Sequence, residues 1–392
     1  MQYRAARAAA VPLMGRDAPV AGLPDERPDA SSDGRVMRAV RGAGFAAGAI
    51  AGIAGAAYAI ERAVVAGVRR RPDADAGKSL VPPFDEARRY PSHDEGSIYT
   101  ISRGKGPTLL FLHGVTLSTR VWVKQFEQLP EQGFRCIAFD HRGHGESKCG
   151  TTGHSIVNLA DDMRTLLERM NLRDVVLVGH SMGGIAVQAF AARYPKLAAE
   201  RVRGIVLMST LARTYLSGAN WLRRLFERLT GGGPSAGELM TQQNLGFFLA
   251  RLGFGRDPQP SHVELVREMI AACEKENSQA AIGALIGLDM TADVSKITLP
   301  TLIVSGSADV IAPPAESRRI AELIPGARLE VFKGAGHMLM LERTEEVHTL
   351  ITEFARDLGA GAPLRRLWPR RRLRRRPPRR VRRALAAREA AS

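Results

Sequence analysis

Short apolar runs alternate with longer amphipathic stretches over residues 96–210 and 298–360. The runs are rich in Val, Ile and Leu, which is typical of buried strands, whereas apolar residues recur at helical spacing in the stretches. This alternation predicts an α/β fold with a mostly parallel central sheet flanked by helices. The predicted strands are Ser97–Ser102, Thr108–Leu112, Arg135–Phe139, Val175–Val178, Gly204–Met208, Thr301–Val304 and Arg328–Phe332, and the predicted helices are Ser155–Met170, Met182–Tyr194, Pro314–Leu323 and Glu345–Leu358.

The alternation stops over residues 211–297, where the pattern is helical throughout. Because this stretch falls between two consecutive predicted strands, it is predicted to be a helical cap inserted into the α/β core. Two apolar clusters in the cap are predicted either to line an apolar substrate site or to dock the cap on the core. They are Trp221, Leu222, Leu225 and Phe226, followed by Phe247, Phe248, Leu249 and Leu252.

An uncharged run of 19 residues, rich in Ala and Gly, occupies residues 42–60 of the segment 37–71. As a helix it would be about 28 Å long, enough to cross the apolar core of a bilayer. Gly44, Gly48 and Gly52 have the small-residue spacing that suits self-association of helices in lipid. This interpretation predicts membrane association, with the catalytic part in the cytoplasm because more arginines follow the run than precede it.

Two other interpretations of residues 42–60 stay open. If translation starts at Met37, the run has the form of a cleaved signal peptide, which predicts secretion. The second alternative is an Ala-rich helix that does not enter a membrane.

Three further segments differ in composition from the α/β core. Residues 1–36 are predicted to be disordered, and residues 72–95, rich in Pro, Asp and Gly, to be a linker. Residues 361–392 carry thirteen arginines and one acid, a charge of +12 out of the +16 of the whole chain. This tail is predicted to be solvated and disordered. An anionic membrane surface is the alternative partner, and nucleic acid is disfavoured because the tail has a single aromatic residue, Trp368.

The sequence Gly-His-Ser-Met-Gly at residues 179–183 directly follows an apolar strand and precedes a helical stretch. In a sharp strand-to-helix turn, small residues two positions before and after a serine relieve steric clash and expose its hydroxyl above the sheet. Gly179 and Gly183 occupy those positions. The following helix would direct its N-terminal dipole at developing negative charge. This context predicts that Ser181 is a nucleophile.

A serine nucleophile needs a base, and two suitable residues follow later strands in the order Ser, acid, His. Asp309 comes just after Thr301–Val304, and His337 lies in a Gly-containing loop after Arg328–Phe332. Because the carboxyl ends of parallel strands meet at one edge of a sheet, these residues are expected to lie together. We therefore predict a triad in which His337 is the general base and Asp309 orients the imidazole.

An oxyanion hole is predicted from two backbone N–H groups, those of Met182 and Val115. Met182 follows the nucleophile, and Val115 lies in the loop after Thr108–Leu112, where Gly114 permits a tight turn. His113 is interpreted as a residue that braces this loop rather than as a second base. His180 is expected to pack sideways, because adjacent side chains at such a turn diverge.

No metal and no cofactor are predicted. The cysteines Cys136, Cys149 and Cys273 fit no zinc spacing and no disulfide framework, and we interpret them as buried, inert thiols.

These motifs together resemble the α/β-hydrolase superfamily, and within it the esterases, monoglyceride-lipase-like enzymes and cofactor-free haloperoxidase-like members. The resemblance covers roughly residues 96–358 and implies a structural role for the loop Asp140–Ser147. Epoxide hydrolases and haloalkane dehalogenases carry aspartate where this chain has Ser181, which argues against those two activities. The motifs are His113-Gly114, Asp140–Ser147, Gly179–Gly184, Asp309 and Gly336-His337.

The expected function is hydrolysis of a carboxylic ester, with an apolar acyl group, through an acyl-enzyme on Ser181. The same triad could instead cleave a carbon–carbon bond, a thioester or an amide, or carry out cofactor-free perhydrolysis. A non-catalytic, membrane-anchored binding protein on a hydrolase scaffold is the alternative of another class. The intact triad argues against it, because a scaffold has no need of all three groups.

Overall fold

The computed structural model describes residues 55–214 and 236–359, and the compact unit that contains the sheet begins at Ile60. The strands in this part of the chain are β1 (Glu86–Pro91), β2 (Ser97–Arg103), β3 (Thr108–Leu112), β4 (Arg135–Phe139), β5 (Val175–His180), β6 (Val202–Met208), β7 (Thr301–Gly306) and β8 (Arg328–Phe332). They form one sheet in the order β1-β2-β4-β3-β5-β6-β7-β8. Strand β2 is antiparallel to both neighbours, and β4, β3 and β5 to β8 are parallel. The predicted α/β fold class is confirmed.

Helices separate most of the strands. In the described residues they are α1 (55–69), α2 (Val123–Gln128), α3 (Ile156–Arg169), α4 (Met182–Arg193), α5 (Pro195–Arg201), α6 (Ala236–Thr241), α7 (Gln243–Arg251), α8 (Pro260–Ala272), α9 (Lys275–Leu285), α10 (Thr291–Val294), α11 (Pro314–Leu323), α12 (Leu339–Glu342) and α13 (Thr344–Gly359), with 3₁₀ turns at Thr119–Trp122 and Pro130–Gln132. Helices α6 to α10 lie between β6 and β7, where the cap is predicted. We call residues 211–297 the cap below.

The sheet is buried on both faces, which explains why its central strands are apolar at successive positions. In β3, Leu110 and Leu112 pack on one face with side chains of α3 and α4. Leu109 and Phe111 point to the other face and pack with side chains of α2 and α13. Successive residues of a strand alternate between faces, so a strand covered on both sides needs apolar residues throughout.

Strand β1 lies within the predicted linker 72–95, and that prediction is wrong for this part. β1 pairs antiparallel with β2 over its whole length, from Glu86 opposite Ser102 to Pro91 opposite Ser97. It is one of the two edge strands of the sheet, and its side chains are exposed except for that of Tyr90, which is partly buried. An exposed edge strand has no need of apolar residues, so the hydrophobic pattern does not mark it.

The beginning of the predicted linker is also part of the fold. Asp75 is 4% exposed and accepts from Lys124 of α2 at 2.8 Å and from His262 of α8 at 2.9 Å. Asp73 accepts from both the backbone N–H and the hydroxyl of Ser261, at 2.7 and 2.8 Å. These two aspartates therefore join the N-terminal segment to the core and to the cap at once.

Several predictions fall wholly or partly outside the described residues. These are the disordered segment 1–36, most of the apolar run 42–60 with its three glycines, the start at Met37, the cap residues 215–235 and the tail 361–392. Within the described ranges, no helix combines the length and the apolar character needed to cross a membrane. Helix α1 carries Val65 and Val68, each 4% exposed, into the protein core, so this end of segment 37–71 is occupied by protein contacts.

Candidate active site

Ser181 lies in a sharp turn between β5 and α4, and it is partly exposed. Its backbone angles, φ 52° and ψ −117°, are strained for a residue with a side chain. The neighbouring glycines have no room for a Cβ atom. At Gly179 it would lie 2.5 Å from the carbonyl oxygen of Gly183, and at Gly183 it would lie 2.3 Å from that of Leu112. The strained turn therefore depends on both glycines.

Two hydrogen bonds, to the last residue of β6 and from a residue that follows this strand, hold the Ser181 turn. The Ser181 N–H donates to the carbonyl oxygen of Met208 at 3.0 Å, and the Thr210 hydroxyl donates to the Ser181 carbonyl oxygen at 2.7 Å. The strain is thus supported by the end of β6 as well as by α4. No sequence motif marks Thr210, because its contact is to the backbone of a residue 29 positions away.

Asp309 and His337 are brought together at the edge of the sheet formed by the carboxyl ends of β7 and β8. Asp309 Oδ2 lies 2.9 Å from His337 Nδ1, and the two residues are 4% and 6% exposed. Asp309 Oδ1 accepts from the N–H groups of Ile311 and Ala312 at 2.9 and 2.8 Å. One carboxylate oxygen is therefore held by the backbone while the other holds the imidazole, as an orienting acid requires.

His180 links the Ser181 turn to His337. Its Nε2–H donates to the His337 carbonyl oxygen at 2.9 Å, and the two ring centroids are 4.7 Å apart. Burial, and then the nearby His337, lower the pKa of His180 well below its usual value, so this ring is neutral. The buried ring thus supports the backbone of His337, a contact that the sequence did not predict. Among the described residues, no hydrogen bond joins the Ser181 hydroxyl directly to the His337 ring.

The predicted oxyanion donors lie on two elements next to Ser181. A Cβ atom at Gly114 would come within 3.2 Å of Ser181 Cβ, which places the loop of Val115 against the Ser181 turn. Met182 is the first residue of α4, where backbone N–H groups lack partners within the helix. Neither N–H has an acceptor within the described part of the chain. Their roles as oxyanion donors stay predictions.

His113 braces the loop that contains Gly114 and Val115, in agreement with its interpretation from the sequence. Its Nδ1–H donates to the Gly114 carbonyl oxygen at 2.7 Å, and its Nε2 accepts from the His141 N–H at 3.0 Å. Both ring nitrogens are therefore occupied. Burial, and then the neighbouring His141 and His144, lower the pKa of His113 well below its usual value. A fully buried ring with both nitrogens engaged is not available as a base.

The Asp140–Ser147 loop is tied down by buried charges. The guanidinium of Arg142 donates to Asp162 at 2.7 and 2.8 Å and to Asp94 at 2.9 and 3.2 Å. Asp94, Asp162 and a partly exposed His93 bring potential metal-ligating atoms within 4.8 Å of one another. Arg142 already supplies positive charge to both carboxylates, so we assign this cluster a structural role.

Burial raises the pKa of all three cysteine thiols. It raises the pKa of Cys136 to about 12 and that of Cys273 to about 11, so both stay protonated at neutral pH. Cys149 is partly buried, and its pKa is also raised by burial. The interpretation of these thiols as inert agrees with their surroundings.

A cavity of about 370 Å³ lies between the cap, the N-terminal segment and the loop that follows the predicted oxyanion hole. Its lining includes Phe84, Leu117, Arg120 and Met269, but not Ser181 or His337. None of the three residues of the predicted triad therefore lines this cavity.

Residues 107–344, more than half of the chain, match the family model of the alpha/beta hydrolase fold. The strained serine turn and the Asp309–His337 pair occupy this matched region. The chain belongs to the alpha/beta hydrolase fold family, and the resemblance drawn from the sequence is confirmed.

The similar proteins include enzymes of several names. Non-heme chloroperoxidase CPO-A1 of Kitasatospora aureofaciens is 30% identical over 252 residues, 63% of this chain and 90% of that protein. The bifunctional esterase/perhydrolase DCH of Acinetobacter calcoaceticus is 27% identical over 261 residues, 64% and 92% respectively. A solved structure of a thermophilic esterase from Thermogutta terrifontis matches with a TM-score of 0.58 and 29% identity, covering 70% of this chain and 99% of that one.

Buried histidines near the site predict loss of stability in acid. Burial, and then His144, lower the pKa of His141 to about 3, and burial lowers that of His144 to about 4. A histidine with a lower pKa in the folded state takes up its proton mainly on unfolding, so acid favours unfolding. The contribution of each such histidine to the free energy of unfolding is fully present above about pH 6.5. It decreases as the pH falls toward 4, by up to about 1.4 kcal/mol per pH unit for each histidine.

The variant His141→Leu tests this pH dependence. Neither ring nitrogen of His141 has a hydrogen-bond partner in the described residues, so the substitution removes a titrating group without breaking a side-chain hydrogen bond. Urea unfolding of both proteins from pH 8 to pH 5 should give the variant the shallower loss of stability. The difference at pH 8 measures the packing effect alone. Equal slopes below pH 6.5 would contradict the expectation.

Proposed function

We propose that the chain is a carboxylic ester hydrolase that acts through an acyl-enzyme on Ser181. The observation that carries this proposal is the 2.9 Å contact between Asp309 and His337, beside a strained and partly exposed serine at the start of a helix. Relatives named as an esterase and as an esterase/perhydrolase support the same chemistry.

The proposed reaction has two halves. Ser181 Oγ attacks the ester carbonyl carbon while His337 Nε2 takes the hydroxyl proton, and Asp309 holds the Nδ1–H of the imidazole. The N–H groups of Met182 and Val115 donate to the oxyanion of the tetrahedral intermediate. His337 then gives its proton to the departing alkoxide. In the second half, water attacks the acyl-enzyme, His337 accepts its proton, and Ser181 leaves with that proton as the acid is released.

Perhydrolysis is a second candidate, which the esterase/perhydrolase relative favours. Hydrogen peroxide would then replace water as the nucleophile on the acyl-enzyme, and the product would be a peroxyacid with Ser181 regenerated. The first half of the reaction is the same. Comparing peroxyacid and acid formation from one ester, with and without added peroxide, separates the two outcomes.

Exposed apolar side chains beside His337 support an apolar acyl group. Val310 and Ile311 follow Asp309 and are 70% and 50% exposed, and Leu252 of the cap is 52% exposed. Leu252 directly precedes Gly253, whose carbonyl oxygen accepts from the His337 N–H at 2.8 Å. An acyl chain that covers these side chains would gain about 0.8 kcal/mol for each buried methylene.

A chain-length series of p-nitrophenyl esters tests the apolar preference. From acetate to hexanoate, kcat/KM is expected to rise by up to about fourfold per added methylene, because each buried CH₂ contributes about 0.8 kcal/mol. Ile311→Ser should flatten this rise. Val157→Ser, at a valine of α3 that is 46% exposed, is the matched control and should leave it intact. A preference for acetate would contradict the apolar substrate.

Labelling with a fluorophosphonate probe tests the proposal against the non-catalytic alternative. An activated serine forms a covalent phosphonyl adduct, and the adduct is expected on Ser181 at one per chain. A protein that stays unlabelled and turns over no ester, thioester or amide would be a binding protein, and the proposed function would fail. Thioester and amide substrates in the same assay distinguish the other hydrolytic uses of the triad.

A further inference from the structure

Glu342 holds a cluster of backbone amides around His337. Its carboxylate accepts from the Gly336 N–H at 3.1 Å, from the Met338 N–H at 3.2 Å and from the Gly255 N–H at 2.7 Å. Gly336 and Met338 are the two chain neighbours of His337. The side chain is partly buried at the end of the short helix α12. Charge-assisted bonds of this kind are stronger than those between neutral groups.

The third amide belongs to a different part of the fold. Gly255 lies in the cap, within residues 253–256, which we call the cap segment. The cap segment makes two more hydrogen bonds to the loop at 333–338, from the His337 N–H to the Gly253 carbonyl oxygen at 2.8 Å and from the Arg256 N–H to the Gly334 carbonyl oxygen at 3.0 Å. The carboxylate of Glu342 therefore bonds to both sides of one junction.

The two backbones meet at this junction too closely for side chains. A Cβ atom at Gly255 would lie 2.1 Å from the Gly334 carbonyl oxygen, and a Cβ atom at Gly336 would lie 2.3 Å from the Gly255 nitrogen. At such separations, small shifts of one backbone are passed directly to the other. The junction thus fixes where the backbone of His337 sits.

We propose that Glu342 is a positioning residue, which locks the His337 loop to the cap segment and so sets the place of the imidazole. This inference rests on the proposed role of His337 as general base. Proton transfer requires hydrogen-bond reach between the base and the reacting group, and a misplacement of about 1 Å can lower a rate roughly 100-fold. Glu342 acts through His337 and has no chemical step of its own.

Glu342→Gln tests the proposal. The amide keeps the size of the side chain but loses the charge and one acceptor oxygen, so the amides next to His337 are held less firmly. With p-nitrophenyl butyrate, kcat is expected to fall roughly 10- to 100-fold while KM stays near the wild-type value. Glu345→Gln, at an exposed glutamate of α13, is the matched control and should change neither parameter.

The split between kcat and KM separates positioning from a general structural role. An unchanged kcat in Glu342→Gln, or a change in KM alone, would overturn the proposal. Glu342→Asp extends the test, because its charge is kept but its reach is shorter by one methylene. If Glu342→Asp is more active than Glu342→Gln, the negative charge contributes to the positioning. If both variants lose activity equally, the length of the side chain contributes as well. Full activity of both variants would overturn the proposal.

Hydrogen exchange of the wild-type protein keeps the proposal testable if these variants fail to fold. The amides of Gly255, Gly336 and Met338 are expected to be protected together, and rapid exchange at these amides would overturn the lock. This measurement needs no catalytic activity. A wild-type protein that shows the protection but neither reacts with a fluorophosphonate nor hydrolyses an ester would refute the proposed function and leave the junction itself standing.

Discussion

Ser181→Ala is expected to lower kcat for ester hydrolysis by about 10⁴-fold or more, and to leave the fold intact. The variant removes the atom that would form the acyl-enzyme, while Asp309 and His337 keep their contact with each other. The loss is limited by what the predicted oxyanion donors and substrate binding would still contribute without the serine hydroxyl. Alanine is no larger than serine, so the strained turn at φ 52° is not opposed by new bulk.

A burst assay with a p-nitrophenyl ester measures this effect, and circular dichroism verifies the fold. Ser305→Ala is the matched control, because that hydroxyl is buried at the end of β7 and has no partner among the described residues. It should keep both the burst and the steady-state rate. Near-normal turnover by Ser181→Ala would show that another residue carries the acyl group.

Arg142→Met is expected to cost about 3–5 kcal/mol in the free energy of unfolding. The guanidinium is fully buried and neutralises Asp94 and Asp162, which are also buried. Burial alone would raise the pKa of Asp94, but hydrogen bonds from Arg142, Ser92 and Thr152 outweigh it and hold that pKa well below its usual value. Without the arginine, two carboxylates would face each other in a site closed to water.

Chemical denaturation at pH 7 measures this loss. Arg164→Met is the control, because Arg164 and Glu168 form a partly exposed ion pair one turn apart on α3, and its loss should cost no more than about 0.5 kcal/mol. A combined variant, Arg142→Met with Asp94→Asn and Asp162→Asn, should recover part of the stability because no charge is left unpaired. If Arg142→Met lowers the free energy of unfolding no more than Arg164→Met does, the buried cluster does not stabilise the fold as we expect.

The hydrophobic pattern predicted seven of the eight strands that residues 55–214 and 236–359 contain, and it failed at β1 for a physical reason. Runs such as Thr108–Leu112 are covered on both faces, so burial forces apolar residues into them. β1, with the sequence EARRYP, is an edge strand whose partner is chosen by backbone hydrogen bonds to β2. Hydrogen bonds between backbones do not require particular side chains, so the hydrophobic pattern does not reveal this pairing.

The same contrast, between positions marked by the sequence pattern and positions defined by backbone contacts, applies to the candidate site. Ser181, Asp309 and His337 could be predicted because each follows a recognisable strand, and the fold brings the ends of parallel strands to one edge. The residues that support the site could not be predicted from the sequence. Thr210 and Glu342 act on the backbone atoms of other residues, and His180 reaches the carbonyl oxygen of a residue 157 positions later. Such contacts depend on three-dimensional proximity and require only a polar side chain, which is common in any sequence.

Strand β1 and the aspartates on either side of it, Asp75 and Asp94, bear on where the chain can be shortened. A clone trimmed to residues 96–358, the span of the family resemblance, would lack β1, Asp75 and Asp94. Lys124, His262 and Arg142 would each lose a carboxylate, and the open side of β2 would be free to pair with other molecules. Poor solubility of such a fragment would then reflect the loss of residues 72–95 rather than any fault in the rest of the α/β core.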